Sequence, residues 1–309
     1  MSNNAIEVAG LVKHFGAVVA LDGLDLTVPQ GQVTGFLGPN GAGKTTTIRI
    51  ILGLIRANGG TVSLLGGNPW TDAVELHKRL AYVPGDVALW PNLTGGQIID
   101  VLSALTGGLE KPRRDAMIER FQLDPTKKAQ TYSKGNRQKV ALVAALASRA
   151  ELLVLDEPTS GLDPIMEAEF QSVIKEVKSE GRSVLLSSHI FAEVESLADS
   201  VTIIREGKTV ESSSLADLRK VASTQVKVNT DTPDAIASIP GVRDVQVDGN
   251  EVSFVVDGGN WAGVLQALSK LKMQTFVANP PSLEQIFLSH YADDMAAADA
   301  AANATEAGK

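Results

Sequence analysis

The stretch GPNGAGKTT (Gly38–Thr46) carries the spacing G-x-x-x-x-G-K-[ST], a pattern that suits the wrapping of a polyphosphate. Gly38, Gly41 and Gly43, with Pro39, Asn40 and Ala42 between them, let backbone N–H groups turn inward around an anion. A helix beginning directly afterwards points its positive end at the same charge. In that arrangement Lys44 reaches the β- and γ-phosphates, the Thr45 hydroxyl ligates Mg²⁺, and Thr46 adds a contact to the α-phosphate.

Two acids stand at the end of another apolar run, ELLVLDEPT (Glu151–Thr159). A strand of that composition is buried on both faces, so Asp156 and Glu157 emerge at its C-terminal end, where α/β sheets bind ligands. Asp156 is placed to hold Mg²⁺ through water. Glu157 is placed to orient and deprotonate an attacking water, the role phosphoryl transfer asks of a nearby base. His189 follows the apolar run SVLLSSH, and an imidazole there can bond a γ-phosphate and link Glu157 to the water. His14, His77 and His290 have no such placement and read as structural.

These residues need a frame of alternating elements. Ile6–Val12, Leu24–Val28 and Val33–Leu37 read as strands, punctuated by turns at Asp22-Gly23 and Pro29-Gln30-Gly31. Helical spacing covers Thr45–Leu54, and TVSLLG reads as a further strand. From about residue 86 to 150 helical periodicity dominates. Strands return at Leu152–Leu155, Ser183–Ser187 and Val201–Arg205, with a helix over Ile165–Ser179 between the first two. The pattern predicts a largely parallel α/β sheet with an antiparallel part at the front.

After about Leu218 the pattern restarts. TQVKVNT, PDAIASI, VRDVQVDGNEVSFVVDG, NWAGVLQALSKL and MQTFVAN give the order β-α-β-β-α-β, that of a small split-βαβ sandwich. A last helix is expected over Ser282–Tyr291, and the alanine-rich, polar tail 292–309 is expected to be loose. The domains so drawn are 1–218, with a helical subdomain at about 86–150, then 219–291 and the tail.

Composition narrows the classes. The hydrophobic fraction of 44% and the charged fraction of 21% are those of a globular protein with a proper core. With no cysteine, disulfides, thiolate metal sites and cysteine nucleophiles are excluded. A net charge of −8 gives no positive field to draw nucleic acid, so none is expected as a partner. No apolar run reaches the roughly 18 residues of a membrane-spanning helix. The N-terminus lacks the pattern of a signal peptide, and the expected place is inside the cell.

In order, the phosphate loop, ELLVLDEPT, SGLDP (Ser160–Pro164) and His189 resemble the ATP-binding subunit of an ABC transporter, most closely the bacterial drug- or lipid-exporter type. The match covers about residues 4–218, and PPSLEQIFLSHY (Pro280–Tyr291) resembles the C-terminal segment of drug-exporter ATPases. The resemblance implies a P-loop NTPase core with an antiparallel β subdomain and a helical subdomain, plus a small α+β C-terminal domain. It also implies ATP with Mg²⁺, a second ATP-binding subunit, and a separate transmembrane permease that holds the chain at the inner face of the cell membrane.

The family's signature loop precedes a helix shortly before the acidic strand. LTGGQ (Leu93–Gln97) has nearly the family's letters, yet Thr94 lies 62 residues ahead of Asp156. YSKGN (Tyr132–Asn136) fits instead, with Ser133 only 23 residues ahead and an apolar helix following. LTGGQ is then a turn and helix start capped by Thr94. By resemblance Ser133, Lys134, Gly135 and Asn136 contact the nucleotide of the partner subunit, Asp163 lies across the dimer interface, and Phe15 stacks on adenine.

One departure stands out: where the family has a glutamine that senses the metal, YVPGD (Tyr82–Asp86) has Gly85, and Asp86 or water is expected to substitute. Leu89, Trp90 and Leu93 follow, beside where the family docks its membrane partner. The competing reading is a soluble ATPase of this type, or a nucleotide-dependent switch, not coupled to transport.

Overall fold

The computed structural model describes residues 3–221, 223–257 and 260–286. The chain divides into two compact units between Ser213 and Ser214, where the sequence places the change near Leu218.

The first unit opens with an antiparallel sheet. Strands β1 (Asn4–Phe15) and β2 (Val18–Pro29) form a hairpin, and β4 (Gly59–Leu64) pairs with the other edge of β1. The expected turn at Asp22-Gly23 is not one. The hairpin reverses at Gly16-Ala17, and Gly23, with φ of 80°, lies inside β2 near an irregularity in the register. A left-handed glycine serves a bulge as readily as a turn, so the dipeptide alone does not distinguish them.

Between β2 and β4 lie β3 (Val33–Leu37) and α1 (Lys44–Ile51). Helix α1 stops sooner than its apolar spacing predicts. Gly53 adopts φ of 69°, its N–H bonds to Ile50 O, and Leu54 N–H reaches back to Arg49 O, closing a left-handed glycine cap. A short α2 (Ala73–His77) leads to β5 (Leu80–Val83). Three helices follow, α3 (Gly95–Leu105), α4 (Lys111–Arg120) and α5 (Lys134–Ala147), inserted before β6 (Leu152–Asp156). Then come α6 (Pro164–Ser179), β7 (Ser183–Ser188), α7 (Phe191–Leu197), β8 (Ser200–Arg205) and β9 (Lys208–Ser214).

The main sheet runs β5-β6-β7-β3-β8-β9, and β5, β6, β7, β3 and β8 pair in parallel. Every residue of β3, β6 and β7 is buried, which is why these segments are largely apolar with no polar alternation. The register sets Leu37 beside Ser188, and Asp156 beside Ser187. The loop after β3 and the acids after β6 are thus brought to one edge of the sheet. A common core of Leu11, Leu24, Phe36, Ile48, Leu152 and Leu185 binds the antiparallel sheet to α1 and the parallel strands.

The second unit begins with α8 (Leu215–Val221), followed by β10 (Thr224–Thr230), a 3-10 turn at Pro233–Ser238, β11 (Val242–Asp248), β12 (Glu251–Val256), α9 (Trp261–Leu268) and β13 (Met273–Asn279). Its antiparallel sheet has the order β11-β12-β10-β13, the split-βαβ arrangement, over a core that includes Val226, Val228, Phe254 and Leu268. Residues 283–286 are helical, and Ser282 caps them by accepting from Gln285 N–H at 3.2 Å. The rest of the expected last helix, His290 and the tail lie outside the described residues.

Candidate active site

At two positions of the loop Gly38–Gly43, its first and its last, a side chain would not fit. A Cβ on Gly38 would stand 2.5 Å from Ile204 O, and one on Gly43 2.6 Å from Leu21 Cδ2. Gly43 also has φ of 110°, which disfavours any other residue. Pro39, Asn40, Gly41, Gly43, Lys44, Thr45 and Thr46, with Ala20 and Glu157, line a cavity of about 170 Å³. Ala42 is buried behind them, its N–H bonded to Pro39 O at 3.2 Å.

Lys44 is only 6% exposed. Its ammonium donates to Gly38 O at 2.6 Å and to Pro39 O at 3.2 Å, and lies 3.8 Å from Glu157 Oε1. Burial lowers its pKa, and the negative charges of Glu157 and Asp156 oppose that shift. Thr45 Oγ1 donates to Asp156 Oδ2 at 2.9 Å, while Ser187 Oγ donates to Asp156 Oδ1 at 2.5 Å. Glu157 takes φ of 48°, left-handed backbone for a residue with a Cβ, and its N–H bonds to Ser187 O at 3.0 Å. His189 Nδ1 lies 3.3 Å from Glu157 Oε1. The expected cluster of Lys44, Thr45, Asp156, Glu157 and His189 is therefore assembled from the ends of three neighbouring strands.

Ser133 is the N-cap of α5, accepting from Asn136 N–H at 3.3 Å. Lys134 Nζ donates to Ser160 Oγ at 2.9 Å, and a Cβ on Gly135 would stand 2.4 Å from Gly161 O. YSKGN and SGLDP thus lie against each other. Asp163 caps α6 by accepting from the N–H groups of Ile165 and Met166 at 3.1 and 3.0 Å. LTGGQ does another job. Thr94 and Gln97 form a reciprocal capping box at the start of α3, and Gly95 faces Tyr132, whose hydroxyl would lie 2.3 Å from an added Cβ.

Phe15 is 50% exposed, with Lys13 Nζ 4.8 Å from its ring centre. It does not line the phosphate cavity. A Cβ on Gly85 would approach Asp156 O to 3.2 Å and Glu157 Cβ to 3.7 Å, so the position adjoins both acids. Asp86 is exposed and Trp90 is half-exposed. Sequence reasoning did not single out Ser187, one of three serines in β7, or Ala20, which carries no signal.

With a helical segment inserted between β5 and β6, this is the cassette form of the P-loop ATPase fold. Residues 21–160 match the family described as ABC transporter, and residues 214–291 match that described as ATP-binding protein DrrA1-3-like, C-terminal domain. The daunorubicin resistance ATP-binding protein DrrA3 of Streptomyces coeruleorubidus is 32% identical, over 97% of this chain and 100% of its own length. The bacitracin transport ATP-binding protein BcrA of Enterococcus faecalis is 34% identical, over 70% of this chain and 71% of its own. A solved ATP-binding subunit of an ABC transporter aligns with a TM-score of 0.65 at 29% identity, over 70% of this chain and 92% of that one. The dimeric cassette MJ0796 with ADP and Pi aligns at 0.62 over 68% and 98%; at 21% identity that likeness concerns the fold. The chain belongs to the ATP-binding proteins of ABC transporters and is an ATPase of that family.

Proposed function

We propose that the chain hydrolyses ATP as half of a dimer closed around two nucleotides and drives export through a separate transmembrane permease. The acid pair carries this reading: Asp156 is tied to Thr45 of the phosphate loop, and Glu157 lies between Lys44 and His189.

In this reading residues Gly38–Thr46 wrap the phosphates, and Lys44 takes the charge of the β- and γ-phosphates. Glu157 accepts a proton from water as the water oxygen bonds to the γ-phosphorus and the bond to the bridging oxygen breaks, giving ADP and phosphate. His189 holds Glu157 and the γ-phosphate in line. The Thr45 hydroxyl and the Asp156 carboxylate fit Mg²⁺, which takes few protein oxygens and completes its shell with phosphate and water. Held by these two residues, the metal would supply positive charge against the charge developing on the transferred group. Phe15 stacks on adenine from outside the phosphate cavity. Ser133–Asn136 and Asp163 meet the nucleotide and the interface of the second subunit.

Among the described residues no helix is long and apolar enough to cross a membrane, so the path for cargo belongs to another subunit. An apolar groove of about 330 Å³, walled by Leu54, Leu80, Tyr82, Leu102 and Leu105, opens between the end of α1 and the inserted helices. Leu54 and Leu105 are more than half exposed there, and we assign this groove, with Trp90, to a helix of the permease. Export rather than import is supported by relatives named for bacitracin transport and daunorubicin resistance.

The test is phosphate release by the purified chain. Glu157→Gln should slow it about 10²–10⁴-fold, the usual contribution of a positioned base, with nucleotide affinity retained. Equal turnover would remove Glu157 as the base.

A further inference from the structure

Ser187 is fully buried, and among the described residues its hydroxyl is the side-chain group that bonds both to the Asp156 carboxylate and to the Glu157 backbone N–H. Its hydroxyl donates to Asp156 Oδ1 at 2.5 Å and accepts from Glu157 N–H at 3.3 Å. Its carbonyl accepts from the same N–H at 3.0 Å. The other carboxylate oxygen of Asp156 is held by Thr45 at 2.9 Å. One proton donated and one accepted satisfy a buried hydroxyl.

Packing gives no reason for a hydroxyl here. On one side Leu186 is apolar and fully buried; on the other, the buried Ser188 has its own partner, donating to Glu193 Oε2 at 2.7 Å. An alanine would fill nearly the same space with no polar atom to desolvate. What the hydroxyl adds is direction. It fixes which way the Asp156 carboxylate is turned, leaving Oδ2 toward the phosphate loop. It also shares in holding Glu157 at its left-handed φ of 48°, a conformation that persists only where its surroundings impose it. The two acids have different tasks, and this serine sets the angle between them.

We propose that Ser187 is a positioning residue for ATP hydrolysis, orienting Asp156 toward Mg²⁺ and Glu157 toward the γ-phosphate through a single hydroxyl. The inference rests on the hydrolytic reading above and makes Ser187 part of the same site without contact to substrate.

The test compares wild type, Ser187→Ala and Ser187→Thr as full chains. The readouts are kcat, KM, thermal stability, and affinity for a nonhydrolysable ATP analogue in EDTA and in Mg²⁺. Ser187→Ala should lower kcat by roughly 10- to 100-fold, the range for partners that orient metal ligands. Affinity in EDTA should stay the same, while the gain in affinity brought by Mg²⁺ shrinks. Ser187→Thr, which keeps the hydroxyl, should recover most of both. An alanine variant with wild-type kcat and wild-type Mg²⁺ gain would overturn the proposal. So would losses that follow the melting temperature and are not recovered by threonine. If wild type itself releases no phosphate, the hydrolytic reading fails, and the Mg²⁺ gain still decides whether Ser187 orients Asp156.

Discussion

At the scale of single residues, identity was legible where chemistry restricts the choice. Lys44, Asp156, Glu157 and His189 are readable because few residue types can do their work; the sheet sets Glu157 3.8 Å from Lys44 and 3.3 Å from His189, and Asp156 2.9 Å from Thr45. Ser187 was not readable, since its partners come from a neighbouring strand and only register reveals them. Gly135 lies between these cases: its letter was noted, but the reason for it is Gly161 O, 2.4 Å from where a Cβ would be. Gly135→Ala must push YSKGN away from SGLDP. The chain should still fold and bind nucleotide, while ATP-driven association falls at least tenfold (about 1.4 kcal/mol or more). Sedimentation with and without ATP checks this, and wild-type association would show that the close approach is unimportant.

At the scale of elements, buried strands were plain and punctuation was not. Val33–Leu37 is expected and observed with the same bounds, because a run buried on both faces is mostly apolar and its one polar side chain, Thr34, is buried with a partner in Ser200. Helix α1 is shorter than its spacing predicts because Leu54 keeps helical spacing past Gly53, the glycine that ends the helix. LTGGQ is legible as a helix start: Thr94 is the expected N-cap, and it caps α3 in a box with Gln97. Within α7, Glu193 is buried and takes a hydrogen bond from Ser188 Oγ at 2.7 Å, while its other oxygen has no partner. Burial raises its pKa above the usual 4.5, more than the hydrogen bond from Ser188 and the charge of His189 lower it. The folded state therefore holds this proton more tightly than the unfolded chain does. Its contribution to stability is complete below the unfolded value and is lost as pH rises through the folded one. Glu193→Gln keeps an acceptor for Ser188 without the charge. It should melt higher than wild type near neutral pH, with the difference narrowing in acid. A variant less stable at every pH would show instead that the ionised carboxylate is needed.

For the whole molecule, the order of alternating elements disclosed the fold class, including a second α+β unit after the first. How a subunit meets its permease was less legible. The groove walled by Leu54 and Leu105 joins segments far apart in sequence, and the sequence pointed only to Leu89, Trp90 and Leu93. Leu105→Glu should move the chain from the membrane fraction to the soluble one, with an unchanged melting temperature showing an intact fold. Retention on membranes would place the contact elsewhere. The central claim, that two such chains close on ATP through YSKGN, is tested most directly by the solution mass of Glu157→Gln with and without ATP. Slowed hydrolysis should accumulate the closed state, so the account predicts a dimer with ATP and a monomer without it. A variant that binds ATP yet stays monomeric at every concentration would contradict closure by this chain with itself.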